Sequence, residues 1–172
     1  QNSKPFTLEM RIRPDHGNYY RWQCLAGKLS YNPGEASFHL WLHKGKLKLW
    51  ASKDGRSYSI NCLVSSVAIQ SGKWSHIALV SHKDRVEIYL DGERTTLAVG
   101  ESIFISPTDL NIGGLWNWGG LSLSGLIDSV KLSAGANYSE DFDPDAAPEL
   151  SVPIATKKVS PFYYFQPSNL LD

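Results

Sequence analysis

The strongest signal along the chain is an alternation of apolar and polar residues with a period of two. Phe6, Leu8, Met10 and Ile12 are separated by Thr7, Glu9, Arg11 and Arg13, and Pro14 closes the run. Successive side chains of a β-strand point to opposite faces, so this pattern predicts a strand with one apolar side. Phe38, Leu40 and Leu42 alternate with His39, Trp41 and His43, and Leu47 and Leu49 resume the rhythm after Lys44 and Gly45. A two-residue turn at Lys44-Gly45 sets Leu42 opposite Leu47 and Leu40 opposite Leu49. The other face then carries Trp41 beside Lys48 and His39 beside Trp50.

The run 74–80 predicts a largely apolar strand. Val86, Ile88 and Leu90 alternate with Glu87 and Tyr89 ahead of Asp91-Gly92. That dipeptide is the clearest hairpin signal in the chain, because glycine accepts the positive φ such a turn needs. Ile103, Ile105, Leu110 and Ile112 extend the theme around Pro107, and 126–132 predicts a further strand before a loop at 133–137. No stretch carries a capped apolar stripe of period 3.6; a single helical turn near 145–149 is the most that is expected. Many short strands at about ten-residue spacing predict an all-β sandwich or barrel.

A chain of 172 residues suits one domain with its own core, here expected to span 1–172. All 14 glycines lie at or before Gly135, whereas five of the nine prolines lie beyond it. The shift marks 136–172 as a distinct C-terminal segment. Phe162, Tyr163, Tyr164 and Phe165 are too apolar to leave in water, so 159–165 is expected to return as a terminal strand beside the first.

Lysine plus arginine equals aspartate plus glutamate at 17 each. The balance removes the excess positive field that nucleic acid or a membrane surface would require. No apolar run approaches the ~20 residues of a membrane span. No charged-then-apolar leader opens the chain, so any export signal is expected to have been removed or to lie upstream. Cys24 and Cys62 each sit in a strand-like run and form either one disulfide or two buried thiols. Their spacing matches no CxxC zinc pattern.

Several of these runs resemble laminin G-like, concanavalin A-like domains. Residues 6–15 resemble the family's opening strand, with Met10 where many relatives have tryptophan. Residues 74–80 and 86–92 resemble its central hairpin, 110–114 and 125–132 its late strands, and 138–142 the segment that often follows. The match covers about 6–165. The resemblance implies a two-sheet antiparallel jelly-roll sandwich, common in extracellular proteins and often appended to glycan-degrading enzymes or adhesins. It also implies that Trp74 is a core tryptophan and that calcium is frequent. Asp128 stands in the late-strand motif, where an acidic residue commonly helps hold one structural calcium ion. The other reading of Asp128 is a hydrogen bond to a neighbouring backbone loop.

Enzymes of this fold that cleave glycosidic bonds need two carboxylates flanking the bond. The nearest cluster is Glu87, Asp91 and Glu93, but Asp91 occupies the turn and Glu93 lies past it. No catalytic pair is therefore expected. His39 and His43 lie four residues apart on a strand, about 13 Å at ~3.3 Å per residue, too far for one ion. They are expected to be solvated surface histidines. Asp141, Asp143 and Asp145 read as a solvated acidic run.

The six tryptophans carry the functional clue. Trp116, Asn117 and Trp118 lie in the glycine-bracketed loop 113–120, either folded back as a plug or displayed for a ligand. Trp41, Trp50, His39 and Lys48 share one strand face, either open or covered by a terminal strand. Trp22 follows Tyr19 and Tyr20 and belongs either to a rim or to the core. An indole plane stacks on the C–H face of a sugar ring, and a neighbouring amide can bond its hydroxyls. The expectation is a non-catalytic carbohydrate-binding domain within a larger extracellular, multidomain protein, with a glycan or glycoprotein as partner. A protein-interaction or adhesion domain of the same fold is the alternative, and a divergent glycan-active enzyme the third reading.

Overall fold

A computed structural model describes residues 4–18, 20–28, 34–114 and 121–145 of the chain. The architecture is a β-sandwich. In chain order the strands are β1 (Phe6–Pro14), β2 (Gln23–Lys28), β3 (Phe38–His43), β4 (Lys46–Ala51), β5 (Ile60–Ala68), β6 (Ser75–Ser81), β7 (Arg85–Leu90), β8 (Glu93–Val99), β9 (Asn111–Ile112) and β10 (Gly125–Ala134). A 3-10 turn at His16–Asn18 is the one helical element among the described residues. The first sheet has the order β10-β1-β6-β7-β8 and the second β5-β4-β3-β2-β9.

The alternation closes into one core. Leu8, Met10 and Ile12 from β1, Ile77 and Leu79 from β6, and Val86 and Ile88 from β7 meet Phe38, Leu40 and Leu42 from β3 and Leu47 and Leu49 from β4. The β3–β4 register pairs Leu42 with Leu47, Leu40 with Leu49, Trp41 with Lys48 and His39 with Trp50, as the turn at Lys44-Gly45 predicts. Both turn residues have positive φ, as do Asp91 and Gly92 between β7 and β8.

Two expectations need correction. Trp74 is 38% exposed rather than in the core. The inward set of β6 is Ser75, Ile77, Leu79 and Ser81, so residue 74 falls on the outer side. There the Arg13 guanidinium lies 5.5 Å from its ring centroid. Next, residues 101–110 form no strand; Ile103 is fully buried in an irregular segment held by Phe104 N–H donating to Ser52 O and Ser37 Oγ donating to Phe104 O. Of the two readings of the cysteines, free thiols hold for Cys24 and Cys62, the first buried and the second half-buried. They lie on β2 and β5, three strand steps apart, or about 14 Å. Burial pushes the Cys24 thiol up to about 12. Strand β1 is hydrogen-bonded on both edges, to β10 and to β6. The expected strand at 159–165 and most of the helical turn at 145–149 lie outside the described residues.

The two sheets differ on their outer faces. Residues 135–142 fold over the first sheet. Asn137 N–H donates to Thr7 Oγ1, Arg94 N–H to Asp141 Oδ1, and Phe142 N–H to Gly92 O. Tyr138 and Phe142 stack in parallel, 3.6 Å apart, over Ala78, Val80 and Tyr89. Beneath them Glu87 is fully buried and bonded by His82, Arg85, Arg94 and Tyr89. Glu9 is bonded by Tyr138 and paired with His76 and Lys131. The segment at 138–142 thus has a packing duty, and Asp141 caps the backbone at β8 rather than standing free in solvent.

Candidate functional site

The outer face of the second sheet is where β3 and β4 send their polar-phase residues. Because Phe38, Leu40, Leu42, Leu47, Leu49 and Ala51 take the inner side, His39, Trp41, His43, Lys46, Lys48 and Trp50 must face out. Strand β2 joins them through a bulge between Cys24 and Ala26, which places Cys24 opposite Trp41 and brings Trp22 onto the same face. Trp22, Trp41 and Trp50 therefore meet as one cluster. Trp22 contacts Trp41 edge-on at 6.1 Å and tilts against Trp50 at 5.5 Å. His43 stacks flat on Trp22 at 4.1 Å, and Lys48 Nζ lies 4.7 Å from the Trp22 centroid.

A cavity of about 410 Å³ opens over this cluster, lined by Trp22, His39, Trp41, Trp50, Tyr58 and Leu121. The wall is held in place by specific bonds. Trp50 Nε1–H donates to Asn61 Oδ1 at 2.9 Å. His39 Nε2 and the Tyr58 hydroxyl lie 2.6 Å apart, with the rings edge-on. Trp41 is 5% exposed, so it forms the floor; Trp50 and Trp22 are half-buried and form the sides.

Both histidines on this face are held neutral, and neither is the solvated surface residue expected. Burial pushes His39 down to about 4. Burial, then the charges of Lys48 and Lys44, lower His43, opposed by a backbone bond at Tyr20. An imidazole packed against an indole has lost the water that would stabilise its cation.

Of the expected carbohydrate-contacting residues, the structure brings together Trp41, Trp50, His39 and Lys48. Trp116, Asn117 and Trp118 lie outside the described residues. The ends of their loop are fixed beside the cavity: Gly113 N–H donates to Leu25 O, Cys24 N–H to Leu121 O, and Leu121 itself lines the cavity. Tyr58 and Leu121 had no sequence signal, since both come from irregular connections. Trp22 had one: it shares strand parity with Cys24.

Asp128 is exposed at a bulge, where Arg11 pairs with Ser129 and Ile12 with Ile127, so that it has no cross-strand partner of its own. Among the described residues no group of three or more His, Cys, Asp or Glu side chains could hold a metal. A calcium ion at Asp128 would need its further oxygens from backbone carbonyls, amides or hydroxyls, or from residues outside the described ones. Glu87, the acidic residue nearest to a mid-strand catalytic position, has no exposed surface and four hydrogen-bonding neighbours.

The sequence profile of the concanavalin A-like lectin/glucanases superfamily matches residues 1–141. The chain belongs to that superfamily. No curated protein matches it in sequence. Solved structures of this concanavalin A-like fold resemble it at low identity. A Ruminococcus gnavus sialidase module, CBM40, superposes with a TM-score of 0.62 at 18% identity, covering 78% of each chain. A Bacteroides ovatus protein assigned to carbohydrate binding gives 0.61 at 18%, covering 78% of this chain and 38% of that one. Domain 4 of AbnA, an extracellular arabinanase of Geobacillus stearothermophilus solved with arabinotriose, gives 0.55 at 18%, covering 79% and 63%. The chain thus spans little more than a third of the B. ovatus protein. No helix among the described residues is long and apolar enough to cross a membrane.

Proposed function

We propose that this concanavalin A-like domain binds carbohydrate without cleaving it, through the aromatic cavity on the second sheet. The observation that carries the reading is the cavity wall: three indoles, a phenol and a neutral imidazole around an opening of about 410 Å³. A pyranose stacks its C–H face on such a wall, while the Asn61 amide, the Tyr58 hydroxyl and Lys48 stand at the margin to bond hydroxyls. Among the described residues no carboxylate lines the cavity, so the two-carboxylate chemistry of glycoside hydrolysis finds no described pair there. The low-identity resemblance to modules that accompany a sialidase and an arabinanase supports the same direction, and with it an extracellular role within a longer chain. Trp116, Asn117 and Trp118 are proposed as further contacts, since Leu121, which follows their loop in the chain, lines the cavity.

A glycan array tests the reading. Binding that is lost in Trp50→Ala, with the melting temperature little changed, supports it. A folded wild-type protein that captures a protein ligand and no glycan moves the assignment to the adhesion alternative.

A further inference from the structure

We infer that the cavity selects acidic glycans, with Lys48 receiving the anionic substituent and Lys44 standing behind it; this rests on the reading that the cavity binds carbohydrate. The aromatic face is not electrically uniform. At its Tyr20–Trp22 end two ammonium groups lie over aromatic rings: Lys48 Nζ at 4.7 Å from Trp22 and Lys44 Nζ at 5.9 Å from Tyr20. At its other end Trp50 bonds the Asn61 amide and His39 bonds Tyr58, all uncharged groups.

The charge balance of the two sheets makes the contrast specific. On the first sheet Arg85 and Arg94 pair with Glu87 and Lys131 pairs with Glu9. On the second sheet no described carboxylate pairs with Lys44, Lys46 or Lys48. The Lys46 ammonium is tied to the Ser66 carbonyl, which leaves Lys44 and Lys48. The chain has no net charge, so this is a local excess rather than a global field. The histidine between the two lysines is pushed toward its neutral form, which keeps the positive charge on the ammonium groups alone.

A sugar ring stacked on Trp50, whose ring centre lies 5.5 Å from that of Trp22, would bring its substituents toward Lys48, because the ammonium sits over the Trp22 indole. A neutral hydroxyl there accepts one hydrogen bond. A carboxylate or sulfate accepts a charge-assisted one, in surroundings drier than open surface. The gain expected is about tenfold in affinity, ~1.4 kcal/mol, for an acidic glycan over its neutral counterpart. Carboxylated and sulfated sugars share this chemistry, and their relative affinities assign the anion.

The experiment is an array of neutral glycans with their carboxylated and sulfated counterparts, followed by titration of the best matched pair at low salt and at roughly 0.5 M salt. Acidic members are expected to bind about tenfold tighter at low salt, with most of that gap gone at high salt. Lys48→Met, which keeps the aliphatic stem, should remove the gap, costing the acidic glycan about tenfold more affinity than its neutral counterpart. Lys44→Asn, at an exposed turn whose φ asparagine tolerates, should narrow the gap two- to threefold. Equal affinity for the neutral and acidic members overturns the selectivity while leaving glycan binding intact, as does a gap that survives in Lys48→Met. An array with no glycan bound at all overturns the underlying reading instead.

Discussion

The two outer faces of this sandwich begin from the same strand pattern and end differently. On the first sheet the outward residues of β1, β6 and β7 include Glu9, His76, Glu87 and Tyr89, and a C-terminal segment lies over them. On the second sheet the outward residues of β3 and β4 include His39, Trp41, His43 and Trp50, and they wall an open cavity. A buried carboxylate is tolerable only when its lone pairs are met, and Glu87 on the polar face is bonded by His82, Arg85, Tyr89 and Arg94. Indoles need no such partners and can stand at an opening without cost beyond their apolar area. The charged groups of the first sheet serve the fold, whereas the aromatic groups of the second stand at an opening, where we propose that a ligand stacks.

Breaking the closed face should therefore cost stability and spare binding. The largest effect is expected from Glu87→Ala, which strands His82, Arg85 and Arg94 around a vacated site. Removing one partner from a buried charge network costs about 3–5 kcal/mol. A thermal melt should show a fall of roughly 10 °C, with glycan affinity unchanged. Next is Gly92→Ala. Gly92 has φ +83°, and an added Cβ would come within 1.8 Å of the Phe142 carbonyl oxygen. The substitution should release the 138–142 segment and cost about 2 kcal/mol. Enhanced proteolysis near 138–142, again with binding intact, is the expected readout.

Acidification separates the faces by their titration windows. For Glu9 and Glu87 burial acts to raise the carboxyl. Hydrogen bonds outweigh it, from His76 and Tyr138 at Glu9 and from His82, Arg94 and Arg85 at Glu87, and the charged neighbours add to them. Both groups end below the ordinary value of 4.5. Their stabilisation is complete above that pH and is lost as pH falls further. His39 has a folded value of about 4 against 6.5 when free, so protons prefer the unfolded chain. Its contribution is complete above pH 6.5 and is lost between there and 4. Denaturant melts should show a gradual loss over that upper window, smaller in His39→Phe, where the lowered His43 remains, and a steeper one below pH 4.5 common to both proteins. Parallel profiles in the two proteins would remove His39 from the account. The smallest effect is expected of a chelator: a change in melting temperature below about 1 °C, because Asp128 is exposed and, among the described residues, belongs to no group of three or more His, Cys, Asp or Glu side chains. A drop of several degrees would restore the calcium proposal.

Much of this division can be read from alternation alone. The β3–β4 and β7–β8 hairpins follow from Lys44-Gly45 and Asp91-Gly92, and the first of them places His39, Trp41, Lys48 and Trp50 on one face. What period-two reasoning misses is whatever breaks the period. The irregular 52–59 connection hides Tyr58, and Pro107 sits in a segment where apolar residues pack without a strand. Parity within β6, applied one residue further back, would have put Trp74 outside, and parity with Cys24 puts Trp22 on the aromatic face. The buried state of Tyr89 was illegible because its cover, Tyr138 and Phe142, comes from about fifty positions later.

The central claim is that the open aromatic face, and not the closed charged one, binds carbohydrate. The most direct test is a side-by-side titration of wild type, Trp50→Ala and Gly92→Ala with the tightest-binding glycan from an array. The account predicts that Trp50→Ala loses at least tenfold in affinity while melting within a few degrees of wild type, and that Gly92→Ala, though less stable, binds normally. Full affinity in Trp50→Ala, or binding lost only when the first sheet is uncovered, would contradict it.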